Sequence, residues 1–192
     1  MSSATRSELA RLLDETERNA KRIEAVKGKF PMVVLNEWRY ATRHVVNLLE
    51  GDGDASERER AENHLARAYF DSCDILIDCL LDRARLYLER YSAYQSALCE
   101  SVQDWPAVRK TIRDVHKLHA QSQGFVDEEK RERYAELAKA IAPLEAAIDA
   151  LDAASDDIAS AVRRQRRKDF LVYVSTFAAV AGAVAAILAL FL

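Results

Sequence analysis

Apolar positions recur at helical spacing through most of the chain. Leu9, Leu12, Leu13, Thr16, Ala20, Ile23 and Val26 form one stripe and predict a helix from about Thr5 to Lys27. Gly28 suits a left-handed cap at its end. Pro31 opens a second helix, where its missing N–H costs nothing. That helix presents Val34, Trp38, Ala41, Val45 and Leu48 on one side, and ends before the loop Gly51, Asp52, Gly53, Asp54. Ser56 with Glu59 three residues on reads as a capping box for a third helix reaching towards Gln103, with a break near Tyr91 to Tyr94. Its middle, Ile75 to Leu81, is apolar on most sides, so this helix is expected at the centre. Asp104 before Trp105 and Pro106 starts a fourth helix, running to about Gln123 and stopping at Gly124. Asp127 caps the next.

From Tyr134 the spacing becomes regular. Tyr134, Ile141, Ile148, Ser155 and Val162 fall seven apart, with Leu137, Leu144, Leu151 and Ile158 between them. This is an a/d seam, expected to pack on the chain's own bundle, with pairing to a second copy as the alternative. Pro143 lies off the seam and is expected to bend the helix locally. Directly after the seam come Arg163, Arg164, Gln165, Arg166, Arg167 and Lys168, and from Phe170 to Leu192 there is no charge. Coiled at about 1.5 Å per residue, that last run reaches roughly 34 Å, against a hydrocarbon core of about 30 Å. The cations favour the cytoplasmic side and meet anionic headgroups there.

Five Gly and three Pro in 192 residues favour helices, and no stretch alternates in the manner of a paired strand. The expected class is all-α: an antiparallel helical bundle whose long C-terminal helix leads into a single transmembrane helix. Four parts follow: a bundle over 1–126, the heptad-patterned helix over 127–162, a basic juxtamembrane collar over 163–169 and a tail anchor over 170–192. A net charge of −3 argues against general nucleic-acid binding. Cys73, Cys79 and Cys99 form no ligand-like pair and are expected as buried, reduced thiols. The first residues contain no apolar signal-peptide region, so the tail is expected to do the targeting.

Within the tail, Ala178, Gly182 and Ala186 are spaced by four, as are Ser175, Ala179 and Ala183, a spacing that lets helix backbones approach in lipid. Asp71, Asp74, Asp78 and Asp82 line one face of the third helix; they read as its solvated side, with no metal and no cofactor expected. Arg39, Tyr40, Ala41, Thr42, Arg43 and His44 place an Arg and a His five apart, and Arg113 precedes His119 by six. An Arg that clamps phosphate beside a His that takes the 2′-hydroxyl proton is the chemistry of RNA cleavage.

These spacings, with the helix segment Asn63 to Asp71, resemble the HEPN superfamily over roughly residues 30–120. That resemblance implies an all-helical fold and a place in bacterial antiviral or toxin systems, many of whose HEPN members are RNA-cleaving dimers. Tyr40 departs from the small polar residue usual after the Arg. The order of bundle, heptad segment, basic collar and terminal span is also similar to the layout of SNARE proteins, with a shorter heptad run.

The reading that follows is a tail-anchored, oligomerising membrane effector of a bacterial defence or toxin system, single-pass, with its N-terminal domain in the cytoplasm (at the inner membrane of a bacterium). It would act by clustering and pore formation or other perturbation of the bilayer, and would not be an enzyme. Two alternatives stand beside it: a membrane-tethered, metal-independent HEPN ribonuclease using Arg39 and His44 or Arg113 and His119, and a non-catalytic scaffold. Its expected partners are anionic lipid and further copies of itself, with room for a cytosolic protein or RNA.

Overall fold

A computed structural model describes the backbone of residues 3–50, 55–122 and 127–190, and the side chains of 9–50, 55–122 and 134–183. Seven helices and no strand are found among these residues: α1 Ser3–Lys27, α2 Met32–Glu50, α3 Ala55–Arg90, α4 Gln95–Ser101, α5 Trp105–Ser122, α6 Asp127–Ala153 and α7 Ser155–Leu190. The fold is all-α, a helical bundle.

Local chemistry accounts for most of the boundaries. Gly28 has φ +70°, and its N–H reaches Glu24 O at 2.7 Å, closing α1. Pro31 contributes its carbonyl to Leu35 N at 3.2 Å and so enters α2. The break expected near Tyr91 separates α3 from α4; Tyr91 is buried there, and Tyr94 N bonds to Tyr91 O at 2.9 Å. Asp104 takes φ +51°, a conformation Asp tolerates better than most residues. Its Oδ1 accepts from Ala107 N at 3.4 Å at the start of α5. α3 begins one residue ahead of Ser56, which therefore lies in the first turn rather than at the cap. The loop 51–54, the stop at Gly124 and the Asp127 side chain lie outside the described residues.

α3 is the central element, packed against α1, α2, α5 and α6. Contacts give the directions. His44 meets Glu57 and Glu37 meets His64, so α2 and α3 are antiparallel. Asn19 meets Ser72 while Lys27 meets Asp78; Phe70 stacks on Tyr134 while Arg83 meets Asp152. Both α1 and α6 therefore run parallel to α3, and the expected antiparallel arrangement holds only in part.

The seam is spent inside the chain. Leu137, Leu144, Leu151 and Ile158 are 0 % exposed, and Ile141, Ile148 and Val162 are buried with them in one core that also takes in Cys73, Leu76, Ile77 and Leu80 of α3; the α6 residues pack on α3 and α5, the α7 residues beside α4. Of the two uses the spacing allowed, packing on the chain's own bundle is the one realised. The expected single helix over 127–162 is divided at Ala154, although Ala154 N still bonds to Ala150 O (3.2 Å) and Ile158 N to Ala154 O (2.9 Å). The seam passes through because Leu151 and Ile158 remain seven apart. Tyr87 Oη and Arg83 Nη2 (2.5 Å) both donate to Asp152 just before this point, clamping the end of α6 to α3.

Two other expectations change. In α1 the buried stripe is Thr16, Asn19, Ala20 and Ile23, while Leu13 and Val26 are exposed. Cys73 and Cys79 are buried, but Cys99 is exposed because α4 turns Ala97 and Leu98 inward instead. Replacing Leu144 by Ala should lower unfolding stability by about 2–5 kcal/mol, the cost of a cavity at a fully buried site. Leu86→Ala, at a position 64 % exposed, should stay within about 0.5 kcal/mol in the same chemical-denaturation measurement.

Candidate functional site

α7 is one helix with two surroundings. Its first turns bury Ile158, Ala161 and Val162 in the core. The basic collar follows without a helix break and lies against α4. Arg164 Nη2 pairs with Glu100 at 2.6 Å, Ser96 Oγ donates to Gln165 Oε1 at 2.8 Å, and Arg166 Nε donates to Tyr94 Oη at 2.9 Å with its guanidinium 5.3 Å from that ring. Arg163, Arg167 and Lys168 are exposed and form no ion pair among the described residues. Two of the five cations thus fix the helix to the bundle, and three face solvent.

Beyond the collar every described side chain of α7 is exposed. Phe170 (67 %), Tyr173 (79 %) and Phe177 (78 %) lead a set that includes Leu171, Val172, Val174 and Val180. Ser175 turns its hydroxyl onto Val172 O at 2.9 Å, satisfying it within the helix. Ala178, Ala179, Gly182 and Ala183 lie open on this stretch, and a Cβ placed on Gly182 would meet nothing within 4 Å. The Ala186 side chain lies outside the described residues.

Among the described residues no helix is long and apolar enough to cross a membrane. The apolar positions with described side chains, 170–183, reach about 20 Å as a helix, short of the roughly 30 Å a span needs. The rest of the uncharged run, 184–192, falls beyond them.

A second cluster forms between α2 and α3. His44 Nδ1 lies 2.7 Å from Glu57 Oε2, and His64 Nδ1 lies 2.7 Å from Glu37 Oε2. A carboxylate can only accept, so each Nδ1 donates a proton to its glutamate. The two imidazoles stack at 5.3 Å, 11° from parallel, with Tyr40 5.4 Å from His64. Hydrogen bonds from His44 and Asn47 hold the Glu57 carboxyl below the usual carboxylate range. All four charged or ring side chains are 14–19 % exposed.

The predicted Arg–His pairs are not brought together in this way. Arg39 is exposed over the Tyr40 ring (5.3 Å), and the five residues to His44 turn about 140° along an unbroken α2. Arg113 is exposed, whereas His119 points at α3 and binds Asp74 Oδ1 at 3.0 Å. That hydrogen bond raises the His119 pKa against the opposing effect of burial. The line of aspartates is likewise divided: Asp74 serves His119, and Asp78 lies 3.9 Å from Lys27. No group of three or more His, Cys, Asp or Glu side chains able to hold a metal exists among the described residues.

Two features had no place in the sequence reading. One is a groove of about 910 Å³ between α1, α3 and α6, lined by Arg18, Asn19, Tyr69 and Lys139 among others and crossed by the Arg22–Glu145 ion pair. At its floor Asn19 Nδ2 donates to Ser72 Oγ (3.2 Å) and Cys73 Sγ (3.4 Å), and burial pushes the Cys73 thiol up to about 11, which keeps it unreactive. The other is the partnership of His64 with His44. Folding an antiparallel hairpin about the loop 51–54 would have placed these residues within a turn of one another.

No protein-family model, curated protein or solved structure matches the chain.

The His119–Asp74 contact has a definite pH signature. A pKa raised in the folded state adds stability below the ordinary His value of about 6.5, and that contribution disappears as pH rises through the folded-state pKa. Wild type should therefore exceed His119→Gln in thermal midpoint by more at pH 6 than at pH 9; an equal gap at both would contradict it.

Proposed function

We propose that the chain is a tail-anchored membrane effector: a cytoplasmic helical bundle held at a bilayer by α7, which oligomerises and perturbs the membrane when its tails cluster. The observation that carries this is the continuity of α7, seated in the core at one end and, beyond its cations, apolar with every described side chain exposed. Left in water, that exposed surface is costly. Burying a large apolar side chain contributes about 1.5–3 kcal/mol, so the seven exposed from Phe170 to Val180 amount to on the order of 10 kcal/mol. Each cation near an anionic surface adds about 1 kcal/mol. The apolar term dominates binding, and the collar sets orientation and lipid preference.

Oligomerisation is supported by the open small-residue face around Gly182, where helix backbones can approach. The defence or toxin setting rests on the HEPN resemblance over residues 30–120. A second reading, a membrane-tethered ribonuclease, is supported by the carboxylate-backed pair His44 and His64, since two adjacent imidazoles can serve as base and acid. A toxic effect abolished by His44→Ala, with membrane potential unchanged, would favour it over the effector reading.

Flotation with phosphatidylglycerol-containing vesicles is the direct test. The full chain should float, and a chain ending at Asp169 should stay at the bottom. Replacing Arg163, Arg167 and Lys168 together by Gln should leave flotation intact but remove its dependence on anionic lipid. Full-length protein that stayed at the bottom would overturn the proposal.

A further inference from the structure

The groove between α1, α3 and α6 belongs neither to the tail nor to the histidine cluster. α1 and α6 form its walls, each packed on α3 and bridged by the Arg22–Glu145 ion pair, and α3 supplies the floor. Leu12, Phe70 and Ala138 contribute apolar lining, and about 910 Å³ falls in the size range of small-molecule sites.

One polar group in the floor lacks a partner. Ser72 Oγ donates to Tyr69 O at 2.7 Å, so towards Asn19 it can only accept. The Asn19 amide is thereby fixed with Nδ2 turned to Ser72 and Cys73, which leaves Oδ1 without a hydrogen bond among the described residues. Asn19 is 6 % exposed, and its open acceptor reaches solvent through the groove it lines. An incoming N–H or O–H would satisfy it.

The charges around Asn19 select an anion. Glu15 pairs with Arg11, Glu62 with Arg58 and Glu145 with Arg22. Arg18 of α1 and Lys139 of α6 also line the groove and form no ion pair among the described residues. Asn19 lies opposite Ser72, and Tyr134 opposite Phe70, so these two cations stand on facing walls within about a helical turn of one level. Burial first, and then the neighbouring Arg18, lower the Arg22 pKa; an anion seated here relieves the repulsion between the two. Glu59, the groove's unpaired acid among the described residues, lies about 20 Å of helix before Ser72. With Glu15, Glu59 and Glu62 along the same groove, a polyanion such as nucleic acid is repelled, whereas a single negative charge is accommodated.

We propose that this groove binds a small carboxylic acid. Its carboxylate sits between Arg18 and Lys139, an N–H or O–H elsewhere on it donates to Asn19 Oδ1, and its apolar body lies against Leu12, Phe70 and Ala138. The site stands apart from the tail and does not depend on the membrane reading.

Calorimetric titration of the full chain in maltoside micelles tests it, with indole-3-acetate as the probe and empty micelles as the blank. This probe combines a carboxylate, an N–H and an apolar bicycle, and it should bind at one saturable site. Replacing Arg18 and Lys139 together by Gln should weaken binding at least about tenfold, and the uncharged indole-3-acetamide should bind wild type weaker by a similar factor. 1-Naphthaleneacetate, which lacks the N–H, should bind several-fold more weakly than the probe. Arg18 and Lys139 are exposed, so the double variant keeps the core intact, which an unchanged thermal midpoint without probe verifies. The proposal is overturned if indole-3-acetate shows no saturable binding, or if the double variant or the acetamide binds as tightly as the wild-type pair. Equal binding of 1-naphthaleneacetate would overturn the part given to Asn19.

Discussion

The packing of one apolar stripe on α3 organises this molecule. Leu137, Leu144 and Leu151 of α6 are fully buried in the core that α6 shares with α3 and α5, and the stripe continues through Ala154 to the equally buried Ile158 of α7 without losing register. Because each large buried side chain contributes a few kcal/mol, the stripe determines where α7 begins and in which direction it leaves. The exposed apolar stretch is therefore joined to the core through unbroken helix, so its direction is coupled to the bundle. A tail joined by a Gly- or Ser-rich linker would have had no such coupling.

Electrostatics refine what packing sets up. Asp152 clamps α6 to α3 through Tyr87 and Arg83, and the α4 contacts of Arg164 and Arg166 splint the first turn of the collar. Surface pairs of this kind contribute little energy individually, but they act at the junction where a bend would uncouple bundle and tail. The paired histidines lie at the opposite end of α3, beside α2. The fold thus separates an end rich in cations and exposed apolar residues, where α7 leaves the bundle, from an opposite end that carries titratable groups and α2.

Much of this was legible in the sequence wherever a single residue type dictates local geometry. Gly28, Pro31 and the Tyr91–Tyr94 break set boundaries through their own backbone preferences, and the sevenfold spacing located the seam. Its partner was not legible, since a heptad pattern records the width of an apolar stripe and not the identity of the helix that covers it. Ala154 interrupts α6 and α7 without Gly or Pro, so nothing local announced it. Asn19 was invisible for a related reason: a polar residue on an apolar face reads as solvated until Ser72 and Cys73 are seen to satisfy it. The Arg–His spacings misdirected attention to Arg39 and Arg113, whereas each His takes its partner from a neighbouring helix, as only tertiary contacts can show.

Whether α7 is one continuous helix that passes from protein core into lipid can be measured directly. Spin labels placed singly from Asp157 to Leu190 in vesicle-bound protein report accessibility to oxygen and to a polar nickel chelate. A helix that enters lipid should show 3.6-residue periodicity within the bundle, a peak in chelate contact at Arg167 and Lys168, then uniformly high oxygen and low chelate contact from Phe170 onward. Chelate contact that stayed high past Phe170, or that kept a helical period through the tail, would place that surface in water and contradict the account.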